Sequence, residues 1–117
     1  PTRLINIRKF PHVFLEHFPD SSSFSGEYVY LSFNWGKVQP QRTMISTLED
    51  HLEDLGFDQL PQTFKDGIEL ASFLAISYIW IDALCVIQDS AEDWQREAGR
   101  MGNYIRNAAC VVSALAS

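Results

Sequence analysis

The sequence predicts an α/β domain built on a mostly parallel sheet, with helices on both faces. Three observations predict it. Breaker-free β-branched and aromatic stretches alternate with segments of helical period. The helical segments carry recognisable start or stop residues. The 117 residues are 46% apolar and 13% aromatic, enough for one packed core in one domain.

Residues 1–26 contain Pro11, Pro19 and three consecutive serines, Ser21 to Ser23, a composition rich in turn formers. They read as a leader carrying one short strand at Arg3 to Ile7, with the domain proper over 27–117. Glu27 to Phe33 reads EYVYLSF, a strand covered on both faces, ended by a turn at Asn34, Trp35 and Gly36. From Arg42 to Leu55 the residues Met44, Ile45, Leu48, Leu52 and Leu55 recur every three or four positions, and Gly56 follows as a stop. A second helix begins after Pro61, with Phe64, Ile68, Ala71 and Ala75 along one side and Gly67 weakening it. Tyr78 to Ile81 is a short buried strand that delivers Asp82 at its carboxyl end. The third helix has the clearest start, Ser90 with Asp93 three residues on, and Trp94, Ala98, Met101, Ile105 and Ala108 form its expected apolar face, with a Glu92–Arg96 ion pair outside. Cys110 to Leu115 is the last strand. Three or four strands leave a sheet edge without a partner, so the domain is expected to be truncated on its carboxyl side.

Several function classes fall away on composition. Nine Lys plus Arg against fifteen Asp plus Glu give a net charge of −6, the wrong sign for following a phosphate backbone, so nucleic acid is not expected as a partner. The apolar region Ile68 to Ile87 is interrupted by Glu69 and Asp82 and changes period midway, so no membrane span is expected. Cys85 and Cys110 stand far apart in apolar stretches and read as reduced, buried thiols of an intracellular protein. His12, His17 and His51 lack metal-ligand spacing and read as surface residues, so no metal site is expected. Phosphate loops of the GxGxxG and GxxxxGK[ST] kinds are missing, as are serine-nucleophile signatures, and no bound cofactor is expected.

Ligands of open parallel sheets bind at the carboxyl ends of strands, which directs attention to Ser32, Asn34, Trp35, Gly36, Asp82, Gln88 and Asp89. Asp82 serves equally well as a turn cap, and Trp35 and Trp80 suit a core as well as a planar ligand. Glu97 lies three residues after Trp94, at the edge of the helix's apolar face, where a carboxylate is partly desolvated. The competing account is a surface glutamate paired with Arg100.

Four ordered blocks, YVYLSFNWG at Tyr28 to Gly36, LPQTFKDGI at Leu60 to Ile68, YIWIDALCVIQD at Tyr78 to Asp89 and DWQREAGRM at Asp93 to Met101, closely resemble the heterokaryon incompatibility (HET) domain of filamentous fungi. Phe33 stands where that family usually has Tyr, and Tyr104 and Ile105 are in the reverse of its usual order. The resemblance implies a cytoplasmic module of larger multidomain proteins that triggers programmed cell death when genetically different fungal cells fuse. Its implied partners are other domains of the parent protein and incompatibility partner proteins, with self-assembly. HET domains are in turn similar to TIR domains, which implies a flavodoxin-like or TIR-like sheet and, as in some TIR members, NAD as a substrate. The catalytic glutamate of TIR-type NAD hydrolases follows a Trp on a helix by a few residues, and Trp94 to Glu97 resembles that pattern. By this resemblance Glu97 is the catalytic residue, Trp35 and Trp94 wall the base, and Ser32, Gly36 and Asp82 supply contacts to the substrate. The alternative is a non-enzymatic signalling and oligomerisation module in which the same motifs are scaffold.

Overall fold

The computed structural model describes residues 1–18, 24, 26–34 and 41–115. A five-stranded mixed sheet carries the fold, formed by β1 (Arg3–Lys9), β2 (His12–His17), β3 (Val29–Asn34), β4 (Tyr78–Ile81) and β5 (Cys110–Leu115) in the order β2-β1-β4-β3-β5. Helices α1 (Leu48–Glu53), α2 (Gln62–Phe73), α3 (Asp82–Cys85) and α4 (Ala91–Asn107) connect the strands. β3, β4 and β5 run parallel, as the alternation of strand and helix predicts. β1 is antiparallel to both β2 and β4, so the sheet is mixed rather than mostly parallel.

The two antiparallel pairings come from the segment expected to be a leader. Its proline-containing turn joins two strands instead of breaking structure; Leu4, Ile5 and Ile7 are buried on both faces of β1, and Val13 and Leu15 are buried on β2. The predicted strand and helix that follow are shortened. β3 begins at Val29, and α1 covers only six residues, because Thr43 to Thr47 are used otherwise. The Thr47 hydroxyl accepts the Met44 N–H at 3.0 Å, Asp89 Oδ1 accepts the Ile45 N–H at 2.8 Å, and Thr43 is fully buried. His51, expected at the surface, is also buried, and its Nδ1 lies 2.8 Å from the Thr43 hydroxyl, which donates to the Leu84 carbonyl at 2.6 Å. Burial lowers the His51 pKa, with Asp50 opposing.

Alternation along the strands puts Leu4, Tyr30 and Trp80 on one face and Ile5, Leu31 and Ile79 on the other. α2 covers the second face, with Gly67 against Leu31 and Ile79. α4 crosses the first, where the Tyr104 ring lies 5.7 Å from that of Trp80 and Trp80 stacks on Tyr30 at 4.8 Å. Trp80 and Cys85 are fully buried, and burial raises the Cys85 thiol to about 12, so it is held protonated. Cys110 is half-buried, and both thiols are free. Among the described residues, no helix is long and apolar enough to cross a membrane and no cluster of metal-ligating side chains forms.

Candidate functional site

α4 starts as its sequence predicts, with the Ser90 hydroxyl accepting the Asp93 N–H at 3.2 Å. Its buried face is different. Ala98 and Ile105 are exposed, and the residues turned inward are Asp93, Glu97 and Tyr104, with Trp94 and Met101 packed beside them. The spacing of four and then seven residues sets all three over one stripe of the helix. A helix that buries two carboxylates and a phenol must find partners for them, because unpaired buried charge is costly. Thr2, Arg3, the Ile87 N–H and Arg96 of α4 supply them.

Arg3, 3% exposed, donates to Asp93 Oδ2 at 3.0 Å and Oδ1 at 2.9 Å, and its Nη1 also donates to the Cys85 carbonyl at 3.1 Å. Asp93 accepts further hydrogen bonds from the Ile87 N–H at 2.8 Å and from Arg96. Arg96 thus turns toward Asp93 and Glu97 rather than to the expected partner Glu92. Burial alone pushes the Asp93 carboxyl up, but the Arg3 and Ile87 hydrogen bonds and the Arg3 and Arg96 charges outweigh it and hold the group below its ordinary 3.8.

One turn on, Glu97 has no exposed surface. Its carboxylate accepts the Thr2 hydroxyl at 2.9 Å, and the Tyr104 hydroxyl lies 3.0 and 3.1 Å from its two oxygens. The nearest cationic contact is Arg96 Nε at 3.7 Å, beyond hydrogen-bond range. Arg100, the partner expected for a surface Glu97, donates instead to the Thr2 hydroxyl at 3.3 Å. Burial raises the Tyr104 phenol, the Thr2 hydrogen bond opposes this, and the Glu97 charge and hydrogen bond add to it, so Tyr104 keeps its proton and donates. The Tyr28 hydroxyl, itself raised to about 12 by burial and by Tyr104 and Tyr30, donates to the Tyr104 carbonyl and fixes that turn of the helix.

Tyr104 also borders a cleft of about 400 Å³, lined by Pro1, Phe24, Gly26 and Tyr28 together with Arg100, Asn103 and Asn107 of α4. Glu97 does not line it; Tyr104 does, and stands between the carboxylate and the cleft. Of the other residues expected at the site, Trp94 shares α4 with Glu97 and is half-buried. Ser32 is exposed at the carboxyl end of β3, and Asp82 is half-buried as the first residue of α3. Neither borders this cleft. The Gln88 amide donates to the carbonyls of Asp82 and Val86, and Asp89 holds Ile45, so both are structural ties. Trp35 and Gly36 lie outside the described residues, as does the Asn34 side chain.

Tyr104 was discoverable from its place two turns after Glu97 on the same helix face. Thr2 and Arg3 were not, since they meet their partners across ninety residues of sequence or more and carry no local signal.

A family model described as Heterokaryon incompatibility protein (HET) matches residues 28–117. No curated protein and no solved structure gives a match.

Proposed function

The chain belongs to the heterokaryon incompatibility (HET) family, and we propose that it serves that role by hydrolysing NAD in the cytoplasm, cell death following from the loss of NAD. The observation that carries this reading is Glu97. It is a fully buried carboxylate, hydrogen-bonded by two hydroxyl groups with the Arg96 guanidinium 3.7 Å away, three residues after Trp94 and one side chain away from a cleft. Folding alone gains little from such a group, because desolvating a carboxylate costs several kcal/mol and two hydroxyls return only part of it.

The chemistry asks for one carboxylate. Nicotinamide in NAD is a cationic leaving group, so the bond from its ring nitrogen to the ribose breaks with the electron pair going to the ring, and nicotinamide departs neutral without a general acid. The ribose carbon left behind is oxocarbenium-like, and a carboxylate in a low-dielectric pocket stabilises that positive charge. Water then adds to the carbon and loses its proton, giving ADP-ribose, nicotinamide and one proton. Glu97 would hold the ribose and face the developing charge, and Trp94 would wall the base.

The test is nicotinamide release from NAD by the wild type and by Glu97→Gln. Glutamine keeps the volume and an accepting oxygen, so the variant should stay folded while turnover falls by about 100-fold or more. Equal turnover in the folded variant ends the assignment. A second reading, an association-driven signalling module, is favoured by one observation: solvent does not reach Glu97, and Ser32 and Asp82 lie away from the cleft. Self-assembly of a wild type that releases no nicotinamide would establish that reading instead.

A further inference from the structure

We propose that the hydroxyls of Thr2 and Tyr104 occupy the positions on Glu97 that a vicinal diol of a ribose would take, so that the structure is a self-latched state and Tyr104 is the gate between the carboxylate and the cleft. The inference rests on the reading of Glu97 as a ribose-binding carboxylate.

The geometry behind it is specific. Two hydroxyls from distant parts of the chain converge on one carboxylate, Thr2 at 2.9 Å and Tyr104 at 3.0 and 3.1 Å, and they lie 3.5 Å from each other. A cis-diol offers a carboxylate the same pair of donors. Because both acceptor oxygens are taken and Glu97 has no exposed surface, a ligand reaches it only by exchanging its own hydroxyls for these two. The exchange is nearly balanced in hydrogen bonds, which is what a latch requires: a protein hydroxyl lost from the carboxylate is replaced by a ligand hydroxyl of the same strength.

The route is also defined. Tyr104 borders the cleft, and its hydroxyl contacts Glu97. At about 400 Å³ the cleft falls within the range of small-molecule sites, roughly 300 to 1,000 Å³. Its lining includes groups that could hold a nucleotide: Arg100 offers a cation for a phosphate, Asn107 offers an amide donor and acceptor, and Asn103, whose oxygen accepts from Arg106, offers amide donors. Arg100 also holds the Thr2 hydroxyl at 3.3 Å, so a phosphate that draws Arg100 away loosens the second half of the latch. Tyr28 anchors the Tyr104 backbone, so opening needs only the side chain to turn.

The discriminating variant is Tyr104→Phe, which keeps the ring and removes the hydroxyl. Two measurements are made on wild type and variant: kcat/KM for nicotinamide release from NAD, and the affinity for ADP-ribose by calorimetry, with thermal unfolding as a control for folding. Removing one competing hydrogen bond should raise both by about tenfold, the equivalent of about 1.4 kcal/mol. Tighter ADP-ribose binding with no turnover in either protein would keep the latch and overturn hydrolysis. Turnover in the wild type with unchanged or weaker values in folded Tyr104→Phe would keep hydrolysis and overturn the latch. If ADP-ribose binds neither protein, the latch is overturned as well.

Discussion

Asp93 gathers more donors than any other carboxylate described: two from the Arg3 guanidinium, the Ile87 N–H and Arg96. It joins the start of β1, the segment after α3 and the first turn of α4 at one buried point. Removing the charge leaves Arg3 buried with its fork unmatched, a change that typically costs about 3 to 5 kcal/mol. Asp93→Asn is therefore expected to lower unfolding free energy by that amount in urea titrations. The same ion pair sets an acid limit. Because the folded pKa of Asp93 is depressed, its contribution is complete above the ordinary carboxyl value of 3.8 and is lost as pH falls through that value toward the folded one. The urea midpoint of the wild type should be insensitive to this group above about pH 5 and decline below it, and the decline should be shallower in Asp93→Asn. The TIR resemblance singles out Glu97 through its distance from Trp94, while the sequence assigns Asp93 only a capping role. A capping pattern records the backbone N–H that Ser90 accepts and says nothing of where the Asp93 carboxylate goes. That destination is Arg3, which no periodicity connects to α4.

At the level of elements, α2 and α4 show two ways in which a helix departs from its pattern. α2 forms where Pro61 and the spacing of Phe64, Ile68 and Ala71 place it, but it ends at Phe73, so the expected Ala75 lies beyond it, exposed and at positive φ; Gly67 is the price of close packing rather than a defect. A Cβ at position 67 would come within 3.3 Å of Ile79 Cδ1 and 3.3 Å of Leu31 Cδ2, both on side chains already buried. Gly67→Ala gains about 1 kcal/mol of helix propensity and loses a similar amount to crowding, so it should be close to neutral. Gly67→Val adds branching against the same two side chains without the propensity gain and should destabilise by about 2 kcal/mol, read as a lower urea midpoint. In α4 the expected apolar stripe through Ala98 and Ile105 faces solvent, since burial there follows the hydrogen-bond partners Thr2 and Arg3 at the start of β1 instead of hydrophobicity. A pattern method scores Asp, Glu and Tyr as surface, so a helix that buries all three is misread by about one residue of rotation.

For the whole molecule, the strand order decides what counts as the domain. The parallel half, β4-β3-β5, follows from the alternation of strands and helices and is legible in the sequence. Of the antiparallel half only the strand at Arg3 to Ile7 is legible; β2 and the pairings are not, because Pro11 makes the turn between the strands look like a break. Yet β1 lies inside the sheet, bonded to β2 on one side and β4 on the other. The family match begins at residue 28, after both strands, while Thr2 and Arg3, which complete the Glu97 and Asp93 sites, precede it. A fragment of 27–117 would expose β4 along its β1 edge and lose the burial of Leu4, Ile5, Ile7, Val13 and Leu15. At about 1.5 to 3 kcal/mol for each large aliphatic side chain, that loss is on the order of 10 kcal/mol, comparable to the whole stability of an ordinary domain. The fragment is therefore expected to show no cooperative thermal transition by circular dichroism, and a peptide of residues 1–26 added in trans should restore one by re-forming the β1–β4 pairing. A cooperative transition in the fragment alone would mean that the hairpin decorates the fold. Its absence, with rescue by the peptide, would place the structural boundary at the hairpin and make the first three residues part of the site.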